Sequence, residues 1–143
     1  MSNVLFTYRE RKSVEGWESA LYETAHEAYK QRAIGAIYLK NIVDEVDALT
    51  THLIINDDTV IWHAPPCEHV RKNTLAYLKV DAPFTFYQRP INNAFVFGAQ
   101  TEEGYLTFLR TLVEFTTEAY ADKRLYDKQR MERWFEKRLL SKA

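Results

Sequence analysis

The chain has 143 residues, 46% hydrophobic and 27% charged, with a formal net charge of -1. At that length one compact domain over 1–143 with one substantial core is expected, and four glycines with four prolines leave too few tight turns for a many-stranded barrel. A single cysteine, Cys67, excludes an internal disulfide; the start Met1-Ser2-Asn3-Val4 has no basic and apolar leader, and no apolar run reaches the roughly 18 residues that cross a bilayer, so a cytoplasmic protein without membrane association is expected.

Val4 to Arg11 alternates and is rich in aromatic and β-branched residues, which predicts a strand. Ser13 can cap a helix whose inner face is Trp17, Ala20, Leu21, Thr24, Ala25 and Ala28, with Glu18, Glu23 and Glu27 in water. After Gly35, the series Ile34, Ile37, Tyr38, Ile42, Val46 and Leu49 keeps a helical period and predicts a second helix, against a rival strand at Ile37 to Val43. Leu53-Ile54-Ile55 and Val60-Ile61-Trp62 flank Asn56-Asp57-Asp58 and read as a hairpin, which Pro65 and Pro66 stop. Cys67 to Val80 leans to a helix with Val70, Leu75 and Leu78 inward. Phe84 to Tyr87 and Ala94 to Phe97 flank Pro90-Ile91-Asn92-Asn93 as a second hairpin, with Phe84, Phe86, Phe95 and Phe97 on one sheet face.

From Thr101 to the end no proline intervenes. Thr101 with Glu102 and Glu103 suits a helix start, and Leu106, Leu109, Leu112, Val113, Phe115, Ala119 and Tyr120 recur at helical spacing, so a long C-terminal helix is expected to lay Leu106, Leu109 and Val113 over the phenylalanines. The fold class is then α+β: a small antiparallel sheet of two hairpins plus an N-terminal strand, in the order β-α-α-β-β-α-β-β-α, covered by helices.

Charge is uneven. Residues 123–143 hold eight Lys or Arg against three acids, +5, which leaves -6 for the rest. This basic amphipathic helical tail also carries Met131, Trp134 and Phe135. With Lys128, Arg130, Arg133, Lys137 and Arg138 these form the expected partner-binding set, because tryptophan and arginine tend to anchor interfaces. The partner would be a protein or nucleoprotein complex with an acidic surface. Direct nucleic-acid contact would be a further use of the same cations. The functional expectation is a non-catalytic regulator or inhibitor, with no cofactor and no enzymatic activity, since phosphate loops, nucleophile elbows and H-E-x-x-H motifs are all missing.

Two other readings compete. An apolar small-molecule binder would have its cavity between the phenylalanine hairpin and the C-terminal helix. A zinc-dependent enzyme would use His52, His63, Cys67 and His69, which gather three of the four histidines and the only cysteine within eighteen residues. The spacing H-x3-C-x-H matches no common zinc motif, and the same cluster is the only place for a Cys-His nucleophile pair. Asp44, Glu45, Asp47, Asp57 and Asp58 read more simply as helix-end and turn solvation than as a magnesium site.

Overall fold

The computed structural model describes residues 3–140, without the side chains of residues 49–53 and 140. Its elements are β1 (Leu5–Arg11), α1 (Trp17–Lys30), α2 (Ala36–Leu53), β2 (Ile54–Ile55), β3 (Thr59–Trp62), β4 (Thr74–Phe86), β5 (Arg89–Gly98), α3 (Glu102–Ala121), a 3-10 turn at Lys123–Tyr126, α4 (Lys128–Phe135) and a π turn at Glu136–Leu140. The α+β class holds. The sheet is mixed rather than antiparallel, in the order β1-β4-β5-β3-β2: β1 runs parallel to β4 and β3 parallel to β5, while β2 with β3 and β4 with β5 are antiparallel.

Helices cover both faces. On one, α1 and α2 pack over Val60, Trp62, Ala76, Leu78, Phe84, Phe86, Ala94 and Val96. On the other, α3 and α4 pack over Ile61, Leu75, Tyr77, Phe95 and Phe97. Thr74 to Leu78 is therefore buried on both sides, and a strand in that position is a continuous apolar run with no alternation. That is why Thr74 to Val80 belongs to β4 and not to the helix expected over Cys67 to Val80.

The four phenylalanines separate for a related reason. The β4–β5 register shifts between Lys79 and Phe84, and the extra residues Val80 to Pro83 turn one end of the ribbon over relative to the other. Phe84 and Phe86 thus face α1 and α2, whereas Phe95 and Phe97 face α3 and α4. The hairpin turn itself is Tyr87-Gln88, both at positive φ (48 and 68), as a tight two-residue turn requires, and not Pro90 to Asn93. Pro90 pairs with Thr85 inside β5, at a level that β3 does not reach, so its missing N–H breaks no ladder bond on that side.

Two helix expectations also change. α1 starts at Trp17 with Gly16 as its N-cap rather than at Ser13. The C-terminal helix is broken at Asp122, which leaves helical geometry and caps the following turn through Arg124 N–H; Asp127 then caps α4 through Arg130 N–H. The break folds α4 back onto the sheet. Met131, Phe135 and Leu139 are fully buried and Trp134 is 7% exposed. Phe135 stacks on Phe115 at 4.9 Å and meets Phe6 of β1 at 6.0 Å, and the Arg138 guanidinium lies 3.7 Å over the Trp134 ring. Met131, Trp134 and Phe135 are core residues, so among the described residues these three do not present their side chains as a docking face. Lys128, Arg130, Arg133 and Lys137 remain exposed and Arg138 half-buried.

Candidate active site

His63 follows the last residue of β3, at the carboxyl end of the parallel β3–β5 pair. Trp62 is paired with Val96, so His63 reaches the level of Phe97, and the two rings stack at 4.9 Å with 20° between their planes. Tyr105 in the first turn of α3 closes the other side, edge-on at 5.4 Å, with its hydroxyl 2.8 Å from His63 Nδ1. Thr101 sets that turn: its side chain accepts from Gly104 N–H at 3.0 Å, which fixes where α3 begins and hence where Tyr105 stands.

The backbone behind His63 is held as tightly. Tyr38, fully buried on α2, donates its hydroxyl to the Phe97 carbonyl at 2.7 Å and accepts from Ala64 N–H at 3.1 Å, so a single phenol ties the residue after His63 to the end of β5. Gly98 leaves room for it, because a Cβ there would stand 3.1 Å from Ile34 and 3.4 Å from the Tyr38 ring. Burial pushes the Tyr38 phenol well above its ordinary range and keeps it a hydrogen-bonding group.

His63 is 8% exposed. Burial lowers its pKa to about 4, so the ring is neutral at physiological pH. Nδ1 is engaged by Tyr105. Nε2 has no hydrogen bond among the described residues and is not one of the sealed nitrogens, so it is the ring atom left open. Burial, then Glu102 and Glu45, hold the Tyr105 phenol up and protonated. A neutral imidazole with one nitrogen held and the other open is a nucleophile or a general base.

The histidine shift has a consequence for stability. Below pH 6.5 the unfolded chain takes up a proton at His63 that the folded chain refuses until about pH 4, so stability falls across that window and no further on this account. The expected loss is about 3 kcal/mol. Urea unfolding at pH 7 and pH 4.5 checks it: His63→Gln should lose less between the two pH values than the parent chain, the carboxylate contribution being common to both.

Among the described residues no three of His, Cys, Asp or Glu converge on a point that could hold a metal. His63 turns inward, Cys67 lies 4.0 Å from Asn41 Nδ2, and His69 faces Glu68 at 3.8 Å; the His52 side chain lies outside the described residues. Sequence reasoning reached His63 only as a candidate zinc ligand or as half of a Cys-His nucleophile pair. It missed Tyr38 and Tyr105, because nothing local marks a tyrosine whose hydroxyl is used 26 or 42 residues away.

No protein-family model matches the chain, and no curated protein matches it either. Solved structures do. PtxA of Streptococcus mutans, assigned as a PTS IIA, superposes with a TM-score of 0.77 at 13% identity, over 91% of this chain and 86% of that one. The mannitol-specific cryptic phosphotransferase enzyme IIA CmtB of Escherichia coli gives 0.65 at 14%, over 88% and 81%. Enzyme IIAMTL of Escherichia coli, determined in complex with phosphorylated enzyme IIBMTL, gives 0.68 at 14%, over 94% and 92%. The fold is thus that of PTS IIA proteins of the mannitol type.

These findings overturn the expected regulator or inhibitor docking through its C-terminal helix. Its aromatic residues are core, and the architecture is one used by phosphotransferase components, so the expectation of a non-enzyme falls with it. The apolar small-molecule reading fails as well: the sheet face meant for its cavity is filled by α3 and α4, with Phe108 stacked 5.0 Å from Phe97 and Phe115 edge-on 5.8 Å from Phe95. Among the described residues no helix is long and apolar enough to cross a membrane.

Proposed function

We propose that the chain is a phosphoryl carrier of the PTS IIA kind, with His63 Nε2 as the atom that takes and passes on the phosphoryl group. The observation that carries this is the neutral imidazole of His63, held at Nδ1 by Tyr105 and open at Nε2, at the carboxyl end of β3 in a fold shared with phosphotransferase IIA proteins. Its exchange partner is then a IIB-type protein, and its process sugar transport. His26 is exposed on α1 and His69 half-exposed in a loop, and neither has this support.

The chemistry follows from the two ring nitrogens. The Nε2 lone pair attacks phosphorus, an N–P bond forms, and the bond from phosphorus to the donor breaks, its electron pair leaving with the donor. Positive charge builds on the ring and is shared through Nδ1–H donating to Tyr105 Oη. When that proton leaves to solvent, the Tyr105 hydroxyl turns and donates to the bare Nδ1, so the same contact serves both forms. Passing the group on reverses these steps. Because the ring stays neutral down to about pH 4, acceptance should not fade through pH 6.5 as it does for a free histidine.

The test uses phosphoramidate, a small donor that needs no docking partner. The parent chain is expected to gain one acid-labile phosphoryl group by intact mass, with little change in rate from pH 7.5 to pH 5.5. His63→Gln should lose at least about 95% of it, whereas His26→Gln and His69→Gln keep it. Equal labelling of His63→Gln and parent overturns the proposal.

A further inference from the structure

A phosphoryl group on Nε2 would bring about two negative charges to a ring that the fold keeps neutral, and those charges draw a proton toward the other nitrogen, Nδ1. That proton decides how long the group stays. With Nδ1 bare, cleavage of the N–P bond by water has to expel an imidazolate, a poor leaving group; with Nδ1 protonated, the ring departs as neutral imidazole. A carrier that holds its group until a partner arrives therefore needs the Nδ1 lone pair occupied by something other than a free proton.

Tyr105 meets that need. Its hydroxyl lies 2.8 Å from Nδ1, and no other described residue hydrogen-bonds that nitrogen. Burial, then Glu102 and Glu45, hold the phenol above its ordinary range, so it donates to Nδ1 without giving its proton up. The group is also held in place. Its ring stands edge-on to His63 at 5.4 Å and packs at 5.5 Å on Phe97, the ring that stacks on the other side of the histidine, and the Thr101 cap at 3.0 Å from Gly104 N fixes the turn beneath it. Water reaching Nδ1 has to displace a half-buried phenol that is fixed on three sides.

We propose that Tyr105 is a positioning residue that sets the lifetime of the phosphoryl group on His63, its hydroxyl filling the Nδ1 lone pair and keeping out the proton that hydrolysis requires. The inference rests on the reading of His63 as the phosphoryl-bearing residue. In the reaction that Tyr105 slows, Nδ1 takes a proton from solvent and a water oxygen bonds to phosphorus. The N–P bond then breaks with its electron pair returning to Nε2, and the attacking water releases a proton, so inorganic phosphate leaves and His63 is again neutral with Nδ1–H. Opening one hydrogen bond of ordinary net strength before each such event lengthens the lifetime about two- to tenfold.

The test labels the full chain and Tyr105→Phe with phosphoramidate, removes the donor and follows the bound group at pH 7.5 by phosphorus NMR and intact mass. Tyr105→Phe keeps the ring and its packing, and should lose the group from Nε2 at least about threefold faster than the parent. Unfolded in about 8 M urea, the two labelled chains should lose it at one common rate, which places the difference in the folded site. Leu106→Ala, in the same turn and 57% exposed, should keep the parental lifetime. A further reading needs no variant: in the labelled parent, the nitrogen-15 resonance of Nδ1 should be that of an unprotonated nitrogen. A folded Tyr105→Phe that holds its group as long as the parent overturns the inference and leaves the reading of His63 standing. So does a protonated Nδ1 in the labelled parent, or a Leu106→Ala that loses the group as fast as Tyr105→Phe. A parent that takes no label at His63 overturns both.

Discussion

A chain that stops at Asp127 is expected to be unfolded in buffer at room temperature, not merely deprived of a binding tail. Removing the last helix takes away Met131, Trp134, Phe135 and Leu139, all at 7% exposure or less, and bares the faces of Phe6, Phe95 and Phe115 against which they pack. Each such side chain contributes roughly 1.5 to 3 kcal/mol, so the loss is about 6 to 12 kcal/mol, as large as the whole stability of a typical domain. Loss of the near-ultraviolet circular dichroism signal and of any cooperative urea transition is the expected result. The charges offer a control: replacing Lys128, Arg130, Arg133 and Lys137 together by glutamine, all on the exposed side, should leave the urea midpoint nearly unchanged. A truncated chain that melts cooperatively would show that the aromatic contacts of α4 are not what closes the sheet.

Tyr38→Phe should be costly for the loss of a single atom. It keeps the ring and removes only the hydroxyl, which leaves the Phe97 carbonyl and the Ala64 N–H buried without their partner. An orphaned buried polar group costs about 1 to 3 kcal/mol, so for the two about 2 to 6 kcal/mol of stability should go, read as a lower urea midpoint with an unchanged slope. Because Ala64 follows His63 directly, phosphoramidate labelling of His63 should slow even under conditions where the variant is fully folded. A stable variant labelled at the parental rate would mean that the loop after β3 is held by its other contacts.

Much of the architecture was legible. The first strand, the two helices after it, the short hairpin of β2 and β3 and the start of α3 follow from local period and turn chemistry, and α1, α2 and α3 each set one dry face against a wet one. What sequence pattern could not resolve lies where that contrast vanishes. Thr74 to Leu78 is dry on both sides, so its period carries no information; the extra residues at Val80 to Pro83 reverse a face without changing composition; and the orientation of α3 was misread because Leu106, Val113 and Tyr120 are apolar on the outside. The basic tail misled for a similar reason. Its charges are outward as expected, but the four apolar residues among them suffice to bury the helix. Of the site, His63 was visible only as one member of the His/Cys cluster weighed for zinc or for a Cys-His nucleophile pair, while its partners at positions 38, 97 and 105 come from three other elements and leave no local trace.

The pairing of β1 bears on how the molecule is made. Leu5 sits opposite Thr74, an offset of sixty-nine positions that persists along the whole strand, and the outer surface of β1 is finished by Phe135 and by the Tyr8 hydroxyl bonded to the Tyr126 carbonyl. β1 therefore finds its neighbour only after β4, sixty-nine positions later, has been translated, and its cover only once α4 has been made. Until then the nascent protein holds an unsealed flank, and the interval between β4 and α4 is the one in which chaperones have most to guard.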